Sequence, residues 1–465
     1  MAETASDINA RSSEETYRCR IYTESKLDRI VPLRRLSVEQ RFAIKVVAKV
    51  LPFRVNQYVI DELIDWDNIP DDPLFQLTFP QPGMLPEDHF NLVADLILSG
   101  ASNEKIHKEA WRIQAQLNPH PGGQQDLNVP HLDGKALSGI QHKYRETVLF
   151  FPRQGQTCHS YCTFCFRWPQ FVGIKELRFA APDTLDLYRY LREHMEVSDL
   201  LVTGGDPMVM RTRLLADILE PLLAPQFDHV QNIRIGTKAL SYWPYRFVDD
   251  RDADDLLSLL EKMVRAGKHV ALMAHVNHWR ELDTAVAGKA VRRVRDTGTV
   301  IRTQAPLLAH INDDAEVWAR MWRTQVNLGM VPYYMFVERH TGPSPYFEVP
   351  LARGWEIYRD AVKQLSGLAR AARGPSISAG PGKVEIQGVT EIRGEKVFVL
   401  RFIQGRNPEW VHRPFFARFD PRATWLDQLK PAFGAREFFF EPEYRQMRSQ
   451  AYGYSIQFPV EPAAP

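Results

Sequence analysis

Cysteine is scarce in this chain, four residues in 465, and no apolar run is long enough to cross a bilayer. Charge of one sign is also lacking: 58 Lys and Arg stand against 57 Asp and Glu, a net +1. The balance excludes the broad basic field with which proteins capture nucleic acid or an acidic membrane surface, so neither partner is expected. The first residues, Met1 to Arg20, are polar with several acids, which argues against a secretory segment. So few thiols cannot form a disulfide framework, and nothing marks the chain for an oxidising compartment. A cytoplasmic protein acting on small molecules is expected. Apolar content of 44% and charged content of 25% are ordinary for a globular fold.

The cysteine that is present is concentrated. Cys158, Cys162 and Cys165 fall in one stretch, Thr157 to Trp168, with C-x3-C-x2-C spacing. One short loop can aim three thiolates at one inorganic centre. A closed zinc site wants four ligands, usually from a second C-x2-C or H-x3-5-H pair, and none is found. Three thiolates suit a 4Fe-4S cluster whose fourth iron stays open to a small molecule. Cys19, alone in the polar leader, reads as a free thiol.

Taken in order, residues 1–30 read as a loose leader. SVEQRFAIKVVAKV, 37–50, spaces its apolar residues on one helical face, with Ser37 and Gln40 as a capping box. Turns follow at Asp71-Asp72-Pro73 and FPQPGMLP, then a helical stretch over 86–117 and a linker over 119–130 that includes His120, Pro121, Gly122 and Gly123. A helical N-terminal region, 1–140, is expected. Beyond it short apolar runs recur at 148–151, 200–203, 230–235, 269–273, 299–303 and 330–336, separated by amphipathic segments such as 211–223, 252–266, 282–297 and 314–328. Strand and helix alternating at intervals of about thirty residues predict an α/β fold with a parallel sheet over 141–370. Each strand is followed by unusual chemistry: the cysteine loop, Gly204-Gly205-Asp206-Pro207, Gly236-Thr237-Lys238, His275-Val276-Asn277-His278, Gln304-Ala305-Pro306 and Glu338-Arg339-His340. Convergence of all six on one mouth favours a partial (β/α)6, TIM-like barrel over an open doubly wound sheet. Residues 371–465 alternate strand-like runs and Gly turns with a helix at 421–430, and are read as a small C-terminal α+β extension.

In GGDP, two glycines let backbone approach a ligand and the Asp206 carboxylate can accept from an amino group, although the same letters also make a good turn. With Phe164 before the last cysteine and GGDP following the next strand, the chain resembles the radical S-adenosylmethionine superfamily. More narrowly, YRETVLFF, CHSYCTFCFRW, VTGGDP, IRIGTK, AHVNH, TQAPLL, INDD, VPYYMF and AGPGK, with DDPLFQLTFPQP upstream, are similar in order to the lysine 2,3-aminomutase family. The resemblance implies a cluster on Cys158, Cys162 and Cys165, with S-adenosylmethionine at the open iron near Gly204, Gly205 and Asp206. It implies pyridoxal 5'-phosphate carried by Lys383, with Tyr144, His275 and Gln304 near the two cofactors. Arg167 takes the place of the arginine on the substrate carboxylate, for which a planar guanidinium is suited.

Two positions depart from the lysine-specific pattern. Arg339 and Ser376 stand where those members place the aspartates that hold the distant ammonium. A buried guanidinium wants an anion. The expected activity is therefore a 2,3-aminomutase, an isomerase, whose substrate side chain is non-cationic, with glutamate leading and Arg339 and Ser376 facing that side chain. The alternative is a radical S-adenosylmethionine enzyme of the same lineage without pyridoxal phosphate. The family's partners would be an electron donor such as flavodoxin or ferredoxin and further copies of the chain in a homo-oligomer.

Overall fold

The computed structural model describes residues 19–120, 127–174 and 177–451. The predicted leader up to residue 18, and Pro121, Gly122 and Gly123 of the predicted linker, lie outside the described residues. The rest of the leader is built, not loose. β1 (Ile21–Thr23) pairs antiparallel with β2 (Arg54–Asn56), and a 3-10 turn over Glu24–Arg29 buries Leu27.

In α1 (Val38–Val50) the capping box is present: Ser37 Oγ accepts from Gln40 N at 3.2 Å and Gln40 Oε1 from Ser37 N at 2.9 Å. α2 (Pro73–Thr78) starts on Asp72, whose carboxylate takes Leu74 N and Phe75 N at 3.0 and 2.8 Å. The stretch predicted over 86–117 is two helices, α3 (Glu87–Leu98) and α4 (Asn103–Gln116). Gly100 at φ +69 ends the first, and Ser102 caps the second through Lys105 N. Two short strands, β3 (His131–Leu132) and β4 (Lys135–Ala136), lead into the main sheet.

That sheet has eleven strands. β5 (Ile140–Tyr144) and β6 (Thr147–Phe150) form an antiparallel hairpin. From β6 the strands β7 (Asp199–Val202), β8 (Asn232–Thr237), β9 (His269–His275), β10 (Val300–Leu307), β11 (Val331–Val337) and β12 (Arg373–Ser378) run parallel, each beside its predecessor in the chain. Between them lie α5 (Leu185–Glu193), α6 (Thr212–Leu219), α7 (Ala239–Tyr242), α8 (Ala253–Arg265), α9 (Ala285–Asp296), α10 (Ala315–Asn327), α11 (Ser344–Phe347) and α12 (Leu351–Lys363). The order never reverses, so the sheet is not doubly wound, which requires a switch point. Nor is it closed among the described residues, since β5 and β15 (Pro414–Arg418) are its edges.

A seventh parallel strand was not foreseen: β12 joins β11, and antiparallel β13 (Gly382–Ile392), β14 (Glu395–Gly405) and β15 extend the same sheet. The helix predicted at 421–430 is absent; only a 3-10 turn, Leu426–Gln428, forms there, between Pro421 and Pro431. α13 (Glu441–Ala451) follows. Side chains alternate along β8: Ile233, Ile235 and Thr237 are buried, while Arg234 and Gly236 are half-buried on the other face. Among the described residues no helix is long and apolar enough to cross a membrane.

Candidate active site

On the inner face of the sheet lies a cavity of about 800 Å3. Leu149, Leu201, Arg234 and Gln304 from the strands contribute to it, as do Tyr144, Arg167, Arg339 and Lys383. The volume lies within the usual range of small-molecule sites, about 300–1,000 Å3.

The cysteine loop is fixed from two directions. Gly155 O accepts from Gly205 N and Asp206 N at 3.0 and 3.1 Å, and Thr157 O from Asp206 N at 2.7 Å. From the N-terminal region, Arg54 O accepts Tyr161 N at 2.8 Å, Leu77 O accepts Thr163 N at 3.0 Å, and Asn56 Nδ2 donates to His159 O at 3.3 Å. These long-range supports carry no sequence signal, and Arg54 and Asn56 were missed. A Cβ on Gly205 would stand 2.4 Å from Thr157 O, so only glycine fits against the loop.

The Asp206 carboxylate accepts from Met208 N at 2.9 Å, from Thr237 Oγ1 at 2.7 and 2.9 Å, and from Lys238 N at 2.9 Å. Buried, it ties the GGDP turn to the end of β8. Burial pushes it up to about 6 against those donors.

Cys158, Cys162 and Cys165 are free thiols, and burial pushes Cys162 up to about 12, Cys165 to about 11 and Cys158 well above its ordinary value. Bound iron would reverse this by holding them as thiolates. Among the described residues no three His, Cys, Asp or Glu side chains converge as a single ion requires. A cluster does not ask for that convergence, because its three protein thiolates sit on three different irons. Around the loop, Arg54 Nε, His159 Nδ1 and Arg167 Nε are buried polar atoms without partners, as a site awaiting a polar ligand would have.

Lys383 lies on β13, paired with Ser378 of β12 and Gln404 of β14. Its Nζ donates to Gln404 Oε1 at 2.8 Å and stands 4.8 Å over the Tyr334 ring and 5.6 Å over Tyr144. Burial, then Arg234, Arg373 and Arg339, brings it down to about 7. Arg167, which donates to Gln156 Oε1 at 2.9 Å and packs 4.4 Å over Phe151, is lowered by burial to about 10. Arg339 packs 4.3 Å over Phe166, lowered by its burial. Glu338 does not enter the cavity; it lines a separate small pocket with Ser344 and Glu348, and burial raises it well above the carboxylate range. It acts on Arg339 through charge alone, without a side-chain hydrogen bond among the described residues.

The structure brings Tyr144, Arg167, Gln304, Arg339 and Lys383 to one cavity, and places Cys158, Cys162, Cys165, Gly204, Gly205, Asp206, His275 and Ser376 outside its lining. His275, half-buried at the end of β9, has its ring edge-on at 5.6 Å to Phe164, the residue before Cys165. Ser376, fully buried between Phe336 and Glu385 in the sheet, has an Oγ with no partner and does not reach the cavity, so it is not positioned to meet a substrate there. Lys143 was missed: it lines the cavity, donates to Ala379 O at 2.6 Å, and is lowered by burial and then by Arg406, Arg339 and Lys383. Its only signal was its place next to Tyr144.

No family model matches the chain. A protein of Aquifex aeolicus (strain VF5), provisionally named L-lysine 2,3-aminomutase, is 32% identical over 406 residues, 86% of this chain and 95% of that one. The L-lysine 2,3-aminomutase of Bacillus subtilis (strain 168) is 25% identical over 79% of this chain and 67% of its own length. Among solved structures, Streptococcus suis SuiB bound to its precursor peptide SuiA overlaps 60% of this chain and 58% of that one at 14% identity and a TM-score of 0.33, a likeness that carries nothing further. With a relative this similar along almost its entire length, the chain belongs to the lysine 2,3-aminomutase family of isomerases.

Proposed function

We propose that the protein is an amino-acid 2,3-aminomutase that uses a 4Fe-4S cluster, S-adenosylmethionine and pyridoxal 5'-phosphate, and whose substrate has a non-cationic side chain, glutamate first. The carrying observation is Lys383: a buried amine brought down to about 7, in the same cavity as Arg167, which lies two residues past Cys165. An amine with so low a pKa is in good part neutral near pH 7, as attack on an aldehyde requires. When bound, the cofactors supply hydrogen abstraction from an unactivated carbon and a carrier for the migrating nitrogen.

The residues divide the work. Cys158, Cys162 and Cys165 would hold three irons, and Gly204 and Gly205, whose missing side chains let the turn close against the cysteine loop, would border S-adenosylmethionine. Lys383 would hold pyridoxal phosphate beside Tyr144 and Gln304, with His275 on the cluster side. Arg167 would grip the α-carboxylate, leaving Arg339 for an anionic side chain. Arg339 has no hydrogen-bonded acid among the described residues, which favours an anion and disfavours the ammonium of lysine.

In this reading the parallel strands are wound as a partial barrel, open on one side, with the cavity in its mouth. A cytoplasmic homo-oligomer served by a flavodoxin or ferredoxin completes the proposal. Pyridoxal phosphate added to the protein and reduced with borohydride tests it: the label is expected on a peptide containing Lys383. Full covalent capture by Lys383→Ala overturns the assignment.

A further inference from the structure

Away from the cavity, a buried polar group lies against the cysteine loop with no part in the reading above. Tyr242, at the end of α7, is 1% exposed, and its Oη lies 3.8 Å from Cys162 Sγ. The ring is held in place. Lys238 Nζ sits 4.3 Å over one face, and Asn56 Nδ2, which also holds the cysteine loop through His159 O, donates to Tyr242 O at 2.8 Å. Lys238 is itself fixed by Asn277 Oδ1 at 3.0 Å and by an ion pair to buried Glu281. Glu281 in turn accepts from Asn277 N and His278 N at 2.6 and 2.9 Å. The charge of Lys238 is thus balanced locally, and what the assembly presents to the sulfur is a hydroxyl whose position is determined on several sides.

We propose that Tyr242 is a positioning residue for the cluster: its O–H donates a hydrogen bond to the Cys162 sulfur and raises the cluster's reduction potential. The physical reason is that reduction adds negative charge, which spreads onto the cysteine sulfurs. A donor aimed at one of them stabilises the reduced form more than the oxidised form. The Lys238–Glu281 pair maintains the ring in that orientation. In the metal-free protein the same contact runs the other way, with the thiol facing the phenol oxygen, so the pair is compatible with both states of Cys162. The inference rests on the cluster assigned above.

The test is the midpoint potential of the anaerobically reconstituted full chain, read by redox titration of its electron paramagnetic resonance signal. Tyr242→Phe removes the hydroxyl and keeps the ring under Lys238. With iron content equal to the parent, the variant is expected to hold three- to tenfold less reduced cluster at a fixed potential, and tenfold corresponds to about 59 mV for one electron. An unchanged or higher potential overturns the inference. Tyr242→Met, which fills the space without a donor, is read in the same way if the Phe variant assembles poorly, and loss of cluster from both assigns Tyr242 to packing and also overturns it. Parent protein that takes up no iron refutes the cluster itself, an outcome separate from any of these.

Discussion

Beside the cavity the cysteine loop is held by hydrogen bonds from GGDP on one side and from residues 54–77 on the other, whereas around Lys383 the cavity gathers cations, Lys143, Arg167, Arg234 and Arg339, of which Arg234 is paired with Asp199. Arg339 lowers both Lys143 and Lys383 there, and Glu338, raised by burial, lines a separate small pocket. In the proposed reading the first would hold a cluster and the second an anion. The first arrangement fixes position, the second selects charge, and a substitution should act differently at each.

The largest effect is expected at the cysteine end. Cys158→Ala, Cys162→Ala or Cys165→Ala should abolish cluster assembly, measured as iron and sulfide after anaerobic reconstitution, while Cys19→Ala should assemble normally. Zinc without iron in the parent would remove the contrast altogether. Next comes charge selection. Arg339→Asp should move relative turnover of glutamate and lysine on the order of several hundredfold toward lysine, since a misplaced charge in a desolvated site costs several kcal/mol. An unchanged preference would show that Arg339 does not face the substrate.

The lysine end should also respond to pH. With Lys383 at about 7, its neutral fraction rises roughly tenfold per pH unit below that value and levels off above it. The rate of pyridoxal phosphate capture should follow the same curve; a rise that continues to pH 10 would place the amine in solvent. Smaller effects should separate packing from chemistry. Gly205→Ala drives a Cβ into the Thr157 carbonyl and should cost about 1–3 kcal/mol of stability, read by denaturant unfolding, with weaker iron uptake. Ser376→Ala removes an unpartnered buried hydroxyl, so stability should change by less than about 1 kcal/mol and substrate preference not at all. A shifted preference would restore Ser376 to the substrate.

The same contrast explains what was legible in the sequence. Each parallel strand carries a short apolar-rich run, and the six read from the sequence lie within a few residues of β6 to β11. β5, IQHKY, alternates polar residues and was passed over. The cysteine loop is local in sequence and could be read directly. Its supports at Arg54 and Asn56 lie about a hundred residues upstream, and no spacing reveals them. GGDP is legible as a turn after β7, but the donors the fold brings to Asp206 from the end of β8 are not, because a motif does not show its tertiary partners. Lys383 sits in a turn-like Gly-Pro-Gly-Lys that by itself reads as solvated; only resemblance singled it out, and only burial among cations gives it a chemistry.

Substrate choice depends on both ends at once. Anaerobically reconstituted protein with both organic cofactors and a reductant, offered glutamate, aspartate, glutamine, lysine and arginine in parallel, is expected to form a β-amino acid fastest from glutamate. Fastest turnover of lysine would contradict the account.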